Sequence, residues 1–294
     1  MKQHNNIEYS KGFTLIELLV VVAVLGILAG GILIALNIGG VLGKANLTKA
    51  KKFAAQLERG LVISQVGKWS FEDADTSDSA ADTSGYGING NLGGTTLPSC
   101  TSANPGGSCP KKLTASACEL GLGKCLSFDG TNDYVEIPNS PSTNFGTGDF
   151  TLSAWINTTT TASSKSIIET GAGFAIKSLR INDPSTGYLA FYAGGCSSEV
   201  NVKINDGSWH HVVGVRKGLN IRLYKDGVLI PPEACDAGDT NTFAPWLVAK
   251  NALGATTYTS GLIDEVQIYN EALNLSQIRK LYAQGVIRRA LAFR

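Results

Sequence analysis

The spacing of apolar side chains changes character twice along the chain. From Leu18 to Leu36 no charged residue occurs, and at about 1.5 Å per residue a helix of that length matches the ~30 Å hydrocarbon core of a bilayer. Beyond it, Leu47, Ala50, Ala54, Leu57 and Leu61 recur at steps of three and four, while Lys44, Lys51, Lys52, Glu58 and Arg59 fill the other face. That spacing predicts an amphipathic helix. If it continues the apolar segment, one long helix results, with glycines at Gly39, Gly40 and Gly43 each weakening it by up to ~1 kcal/mol.

From Val66 the period becomes two. "DFTLSAWIN" alternates as a strand does, "SWHHVVGV" and "GLIDEVQIY" read as further strands, and "NIRLYKDGVLI" places Asp226-Gly227 between two apolar stretches, the signal of a two-residue type I′ hairpin. Many short strands without intervening helices predict a β-sandwich. The 34 glycines agree with a turn-rich, mainly β body, and 294 residues are enough for a substantial core. With 25 basic and 24 acidic residues, net charge +1, nothing in the balance calls for nucleic acid. Six cysteines, Cys100, Cys109, Cys118, Cys125, Cys196 and Cys235, all lie beyond the apolar segment and form no CxxC pair. Disulfides in an oxidising compartment explain them better than zinc.

One residue conflicts with the membrane segment. Glu17 sits at its head, where an ionised side chain costs ~3 kcal/mol or more, so it needs a partner. The polar leader ends in Lys11-Gly12 ahead of the apolar run, unlike a secretory signal, whose small-residue cleavage site follows it. The run Gly12-Phe13-Thr14-Leu15-Ile16-Glu17 resembles the class III leader of type IV prepilins and type II secretion pseudopilins. The resemblance implies cleavage by prepilin peptidase after Gly12, N-methylation of Phe13, and pairing of Glu17 with the free amine of an adjoining subunit, which makes the charge tolerable. It also implies a leader over 1–12 and a helix over 13–65 whose apolar stripe packs on a globular head.

The remainder resembles the laminin G-like, concanavalin A-like jelly-roll domains over residues 66–285. "VGKWSFEDADTSDSAADTSGYGINGNLGG", "CLSFDGTNDYVEIP", "DFTLSAWIN", "GSWHHVVGVRKGLNIRLYKDGVLI" and "GLIDEVQIYNEALNLSQIRKLY" follow in that family's order. A loop-like insertion, 97–124, departs from it and carries four cysteines, and 286–294 reads as a basic tail. Nearest-neighbour pairing joins Cys100 to Cys109 and Cys118 to Cys125, leaving Cys196 with Cys235; the connectivity stays open at this stage.

Chemistry is sparse. His210 and His211 are adjacent in an expected strand and point to opposite faces, so they cannot share a metal. There is no HExxH, GxSxG or phosphate-cradling loop. The Glu-x-Asp-x-x-Glu carboxylates of related jelly-roll glycosidases are missing too, so an enzyme is not expected. Period two would put Asp264 on one face with Leu262, Val266 and Ile268. A buried carboxylate needs donors or a metal. Related binding modules hold a structural Ca²⁺ there with oxygens near the first strand, which in this chain would be those of Glu72, Asp73 and Asp82. The alternative is an Asp264 that bonds backbone N–H groups. The acidic calcium loop of the pentraxins is missing from "NALGATTYTSG". Of Trp69, Trp155, Trp209 and Trp246, strand tryptophans belong in the core, and Trp246 after Pro245 is the candidate for stacking on a sugar.

The expected protein is a minor or tip type IV pilin-like subunit with an extracytoplasmic jelly roll for adhesion or glycan binding. It needs no cofactor beyond the candidate calcium. Its partners are other pilin subunits, prepilin peptidase, the membrane and a cell-surface ligand. It is a single-pass membrane protein before assembly and extracellular after it. The alternatives are a pseudopilin without external ligand, or a membrane-anchored laminin G-like protein that does not polymerise; a tethered hydrolase lacks the acid pair.

Overall fold

A computed structural model describes residues 64–73, 78–93, 109–118, 123–234, 236–252 and 257–292. The leader, Gly12, Phe13, Glu17, the expected spanning and amphipathic helix, Cys100 and Cys235 lie outside them. Within the described residues no helix is long and apolar enough to cross a membrane.

The strands are β1 (Gln65–Trp69), β2 (Ser79–Ala80), β3 (Gly90–Leu92), β4 (Lys111–Leu113), β5 (Cys125–Asp129), β6 (Val135–Ile137), β7 (Phe150–Asn157), β8 (Lys165–Thr170), β9 (Lys177–Ile181), β10 (Tyr188–Ala193), β11 (Cys196–Asn201), β12 (Trp209–Lys217), β13 (Asn220–Lys225), β14 (Val228–Ala234), β15 (Trp246–Val248) and β16 (Ser260–Tyr269); helix α1 (Leu275–Ala292) follows them. They form two antiparallel sheets. Sheet A runs β14-β13-β12-β7-β16-β5-β4, with β1 also on β16; sheet B runs β11-β10-β9-β8-β15-β6-β3-β2.

The alternation in β7 explains the layering. Phe150, Leu152, Ala154 and Ile156 enter the core between the sheets, whereas Trp155 joins a second apolar cluster with Trp209. On that second face Thr151 Oγ donates to the Glu271 carbonyl at 2.8 Å, and Ser153 Oγ lies 2.9 Å from His211 Nε2. The strand is thus buried on both sides. Gly214 in β12 admits Phe191 from the facing sheet, since a Cβ there would stand 2.3 Å from Phe191 Cδ2. The expected hairpin is present: Lys225 pairs with Val228 across Asp226 (φ 51°) and Gly227 (φ 75°), the positive φ values that type I′ requires.

The outer face of sheet A is covered. Val213, Val215, Tyr224 and Tyr269 pack against Leu273, Ile278 and Leu281 of α1 and its approach. Asn274 caps that helix: its Oδ1 accepts from Gln277 N–H at 3.0 Å, and Gln277 Oε1 accepts from Asn274 N–H at 2.8 Å, a reciprocal capping box. Gly285 lets the helix press on Trp155, where a Cβ would meet the indole at 2.3 Å.

Three expected boundaries shift. α1 runs through 285–286, so the basic tail is the continuation of a helix, one built by the capping box and by Ile278 and Leu281 packed on sheet A. The insertion is not wholly loop-like, because Lys111–Leu113 pair with β5. β1 starts at Gln65, one residue inside the segment read as helix.

Candidate functional site

With α1 on sheet A, the outer face of sheet B is the sandwich face that no helix covers among the described residues. Register alone lines up a row across it: Ser79, Asn91, Glu136, Leu247, Glu169, Ser178, Tyr192 and Ser197 are successive cross-strand partners. Their neighbours in the same strands, such as Val135, Trp246, Val248, Leu179 and Phe191, turn into the core. Six of the eight positions in the row are polar, one is aromatic and one is Leu247; Leu247, Glu169 and Ser178 are buried, so contact with a hydrophilic partner falls to the half-buried positions on either side of them.

Glu169 is the hub. Its side chain is fully buried, and Oε2 accepts from Ser166 Oγ at 2.6 Å, Ser178 Oγ at 2.7 Å and Arg180 Nε at 2.8 Å. Oε1 accepts from Ala252 N–H at 2.9 Å, which ties the loop after β15 down over the sheet. Arg180, 7% exposed, continues the chain by donating from Nη1 to Asp183 Oδ2 at 3.1 Å. Asp183 Oδ1 accepts from Ser164 Oγ at 3.1 Å. Burial alone would disfavour the guanidinium charge, but Glu169 and Asp183 hold its pKa above the ordinary arginine value. Arg180 Nη2 is buried and has no hydrogen-bond partner among the described residues.

Above the guanidinium lies the half-buried Tyr192 ring, 4.9 Å from Cζ to the ring centroid. Its hydroxyl donates to the exposed Glu199 at 2.9 Å. Burial first, then the Asp183 and Glu199 carboxylates, push the phenol pKa upward, so the ring presents a neutral face. Across Leu247, Lys250 sits 4.0 Å from the Tyr134 ring centroid and 5.5 Å from that of Tyr258.

The residues singled out from sequence lie elsewhere. Asp82 accepts N–H groups of Lys68 (3.0 Å), Ser84 (2.9 Å) and Ile88 (2.9 Å), so it builds the turn after β2. Asp73 accepts from Ala81 N–H at 2.9 Å and Glu72 from Lys124 N–H at 3.1 Å. Asp264 accepts from Glu265 N–H at 2.7 Å. Among the described residues no three His, Cys, Asp or Glu side chains gather as a metal site. The face assignment behind the calcium expectation fails: β16 slips register between Asp264 and Gln267, with Glu265 at φ 47°. That bulge puts Ile263 in the inter-sheet core with Val266 and Ile268, while Leu262 packs toward the Trp155 cluster.

Trp246 is fully buried in β15, within the inter-sheet core, and Lys177 Nζ lies 5.4 Å from its ring. It offers no face to a sugar. Among the aromatics on the outer face of sheet B is Tyr192. His210 bridges Asp226 (2.8 Å) and Asp206 (3.2 Å), whereas His211 faces Ser153, its pKa lowered to about 4 by burial. A Cys118–Cys125 disulfide is present. Cys109 and Cys196 are also disulfide-bonded, while the residues expected to pair with them lie outside the described set.

Two segments of the chain match family models. Residues 129–279, just over half of the chain, match the concanavalin A-like lectin/glucanases superfamily, and the chain belongs to it. Residues 9–33 match the prokaryotic N-terminal methylation motif, so a prepilin-type segment is fused to a lectin-like sandwich. Among solved structures, domain 4 of the extracellular arabinanase AbnA of Geobacillus stearothermophilus, in complex with arabinotriose, is similar at TM-score 0.56 and 17% identity, covering 74% of this chain and 98% of that one. The binding domain of Paraclostridial Mosquitocidal Protein 1 (TM-score 0.54, 17% identity, 75% of this chain and 52% of that) and that of Botulinum neurotoxin serotype D (0.53, 12%, 77% and 52%) follow. The chain spans about half of each toxin binding domain. At these identities the likeness is one of fold. No curated protein matches the chain.

Proposed function

We propose that the chain is a minor or tip subunit of a type IV pilus-like filament, whose lectin-like head binds glycans on the outer face of sheet B. The observation that carries the binding reading is a sandwich face that no helix covers among the described residues, where a half-buried tyrosine ring stands beside an exposed carboxylate over a buried polar network. Aromatic rings stack on pyranose faces, and carboxylates accept from sugar hydroxyls. An arabinotriose complex of a domain with this fold supports the choice of ligand class. Binding is favoured over hydrolysis because Glu169 and Asp183 are buried and held by Arg180, leaving no solvent-reaching acid pair in the network.

The assembly reading rests on the methylation motif and on Glu17 within it. In this reading prepilin peptidase cuts after Gly12, the membrane holds the subunit until assembly, and Glu17 attracts the amine of Phe13 of the neighbouring subunit. Intact mass of the membrane-extracted protein should correspond to a chain beginning at N-methylated Phe13. A mature terminus beyond Ala29 would mean an ordinary signal peptide. Glu17→Ala should insert normally yet be depleted from sheared filaments; undiminished incorporation would remove Glu17 from assembly.

A further inference from the structure

On the glycan-binding reading above, the charge at the site selects among glycans. Two carboxylates, Glu169 and Asp183, hold the one guanidinium, Arg180, and a third, Glu199, sits at the Tyr192 hydroxyl. Lys250 and Glu136, farther along the face, offset each other in sign. The site therefore carries more negative than positive charge. A ligand carboxylate brought onto Tyr192 would meet Glu199 directly, and like charges at that range repel even where water screens them.

A second observation points to what is accepted. Arg180 Nη2 is buried without a hydrogen-bond partner among the described residues, a state that native structures rarely leave uncompensated. It belongs to the guanidinium that lies under the Tyr192 ring. An uncharged oxygen, a sugar hydroxyl or ring oxygen, satisfies this donor without adding to the negative charge. We infer that the outer face of sheet B takes neutral, hydroxyl-rich glycans and discriminates against sialylated ones, with Tyr192 as the stacking ring, Arg180 Nη2 as the donor and Glu199 as the excluding charge.

The test uses the full chain in detergent on immobilised pairs of oligosaccharides that differ only in a terminal sialic acid, with arabinotriose as a further neutral probe. Neutral members should bind at least about fivefold more tightly than their sialylated partners, the ratio shrinking as salt is raised. Glu199→Gln keeps an acceptor for the Tyr192 hydroxyl while removing the charge, and should narrow the ratio mainly by improving sialylated binding. Tyr192→Ala should abolish binding to every probe. Equal or tighter binding of the sialylated members, or a ratio untouched by Glu199→Gln, overturns the selectivity while leaving glycan binding standing. No binding to any glycan overturns the binding reading itself, and full binding by Tyr192→Ala moves the site off this face.

Discussion

Replacing Glu169 by alanine is the sharpest test of the network beneath the free face. The carboxylate accepts four hydrogen bonds, from Ser166, Ser178, Arg180 and the Ala252 backbone, and its side chain is fully buried. Removing one partner of a buried ion pair leaves the other charge uncompensated, a loss of about 3–5 kcal/mol. Arg180 keeps Asp183, so the lower half of that range is expected, about 3 kcal/mol. For a domain of this size each kcal/mol moves the melting midpoint by roughly 2–4 °C, so Glu169→Ala should melt about 10 °C below wild type. Glu199→Ala, which removes an exposed carboxylate, should stay within about 0.5 kcal/mol. Thermal unfolding of the full chain in detergent, followed by near-ultraviolet circular dichroism, gives both numbers. A Glu169→Ala loss under about 1 kcal/mol would mean that the network does not hold the face together.

Other predictions follow from the packing. Gly285→Ala would raise intrinsic helix stability by ~1 kcal/mol, but its Cβ would stand 2.3 Å from the Trp155 indole; overpacking should win, giving a net loss of about 1–2 kcal/mol, and a raised melting point would refute the helix–sheet contact. Lys177 is fully buried, with Nζ donating to the Thr240 carbonyl at 2.5 Å, and burial lowers its pKa from 10.5 to about 8. Between pH 8 and 10 the unfolded chain binds the proton that the folded one has released, so stability should rise with pH in that window, and Lys177→Met should flatten the rise. A wild-type curve parallel to that of the variant would contradict it. Because Asp82 is engaged by three backbone N–H groups, Asp82→Ala should cost about 2 kcal/mol equally in calcium and in chelator; calcium-dependent melting of the wild type would restore the metal site.

What sequence could show here follows the range of the interactions involved. The Asp226-Gly227 turn and the alternation of β7 are local, and both are present in the fold. The Asn274–Gln277 capping box and the spacing of Ile278 and Leu281 are equally local and mark α1. Asp264 was misplaced because a bulge at Glu265 breaks the period of two, and a period cannot announce its own interruption. Trp246 follows Pro245 and stands out in sequence as the stacking candidate, whereas it opens β15, paired to Ile137. The row from Ser79 to Ser197 was out of reach for another reason. It draws on eight strands, with β15 inserted between β8 and β6 from far along the chain, and no spacing within one strand tells the register that makes Glu169, Ser178 and Tyr192 neighbours. The polar alternation in "KSLRI" and "CSSEVN" marked an outward face, but not what it would face.

The measurement that bears most directly on a filament subunit with a glycan-binding head is the binding of sheared filaments to immobilised neutral glycans. Filaments from cells producing the wild-type chain should contain it and bind; filaments carrying Tyr192→Ala should contain it in equal amount and not bind. Filaments without the chain, or Tyr192→Ala filaments that bind as well as wild type, would contradict the account.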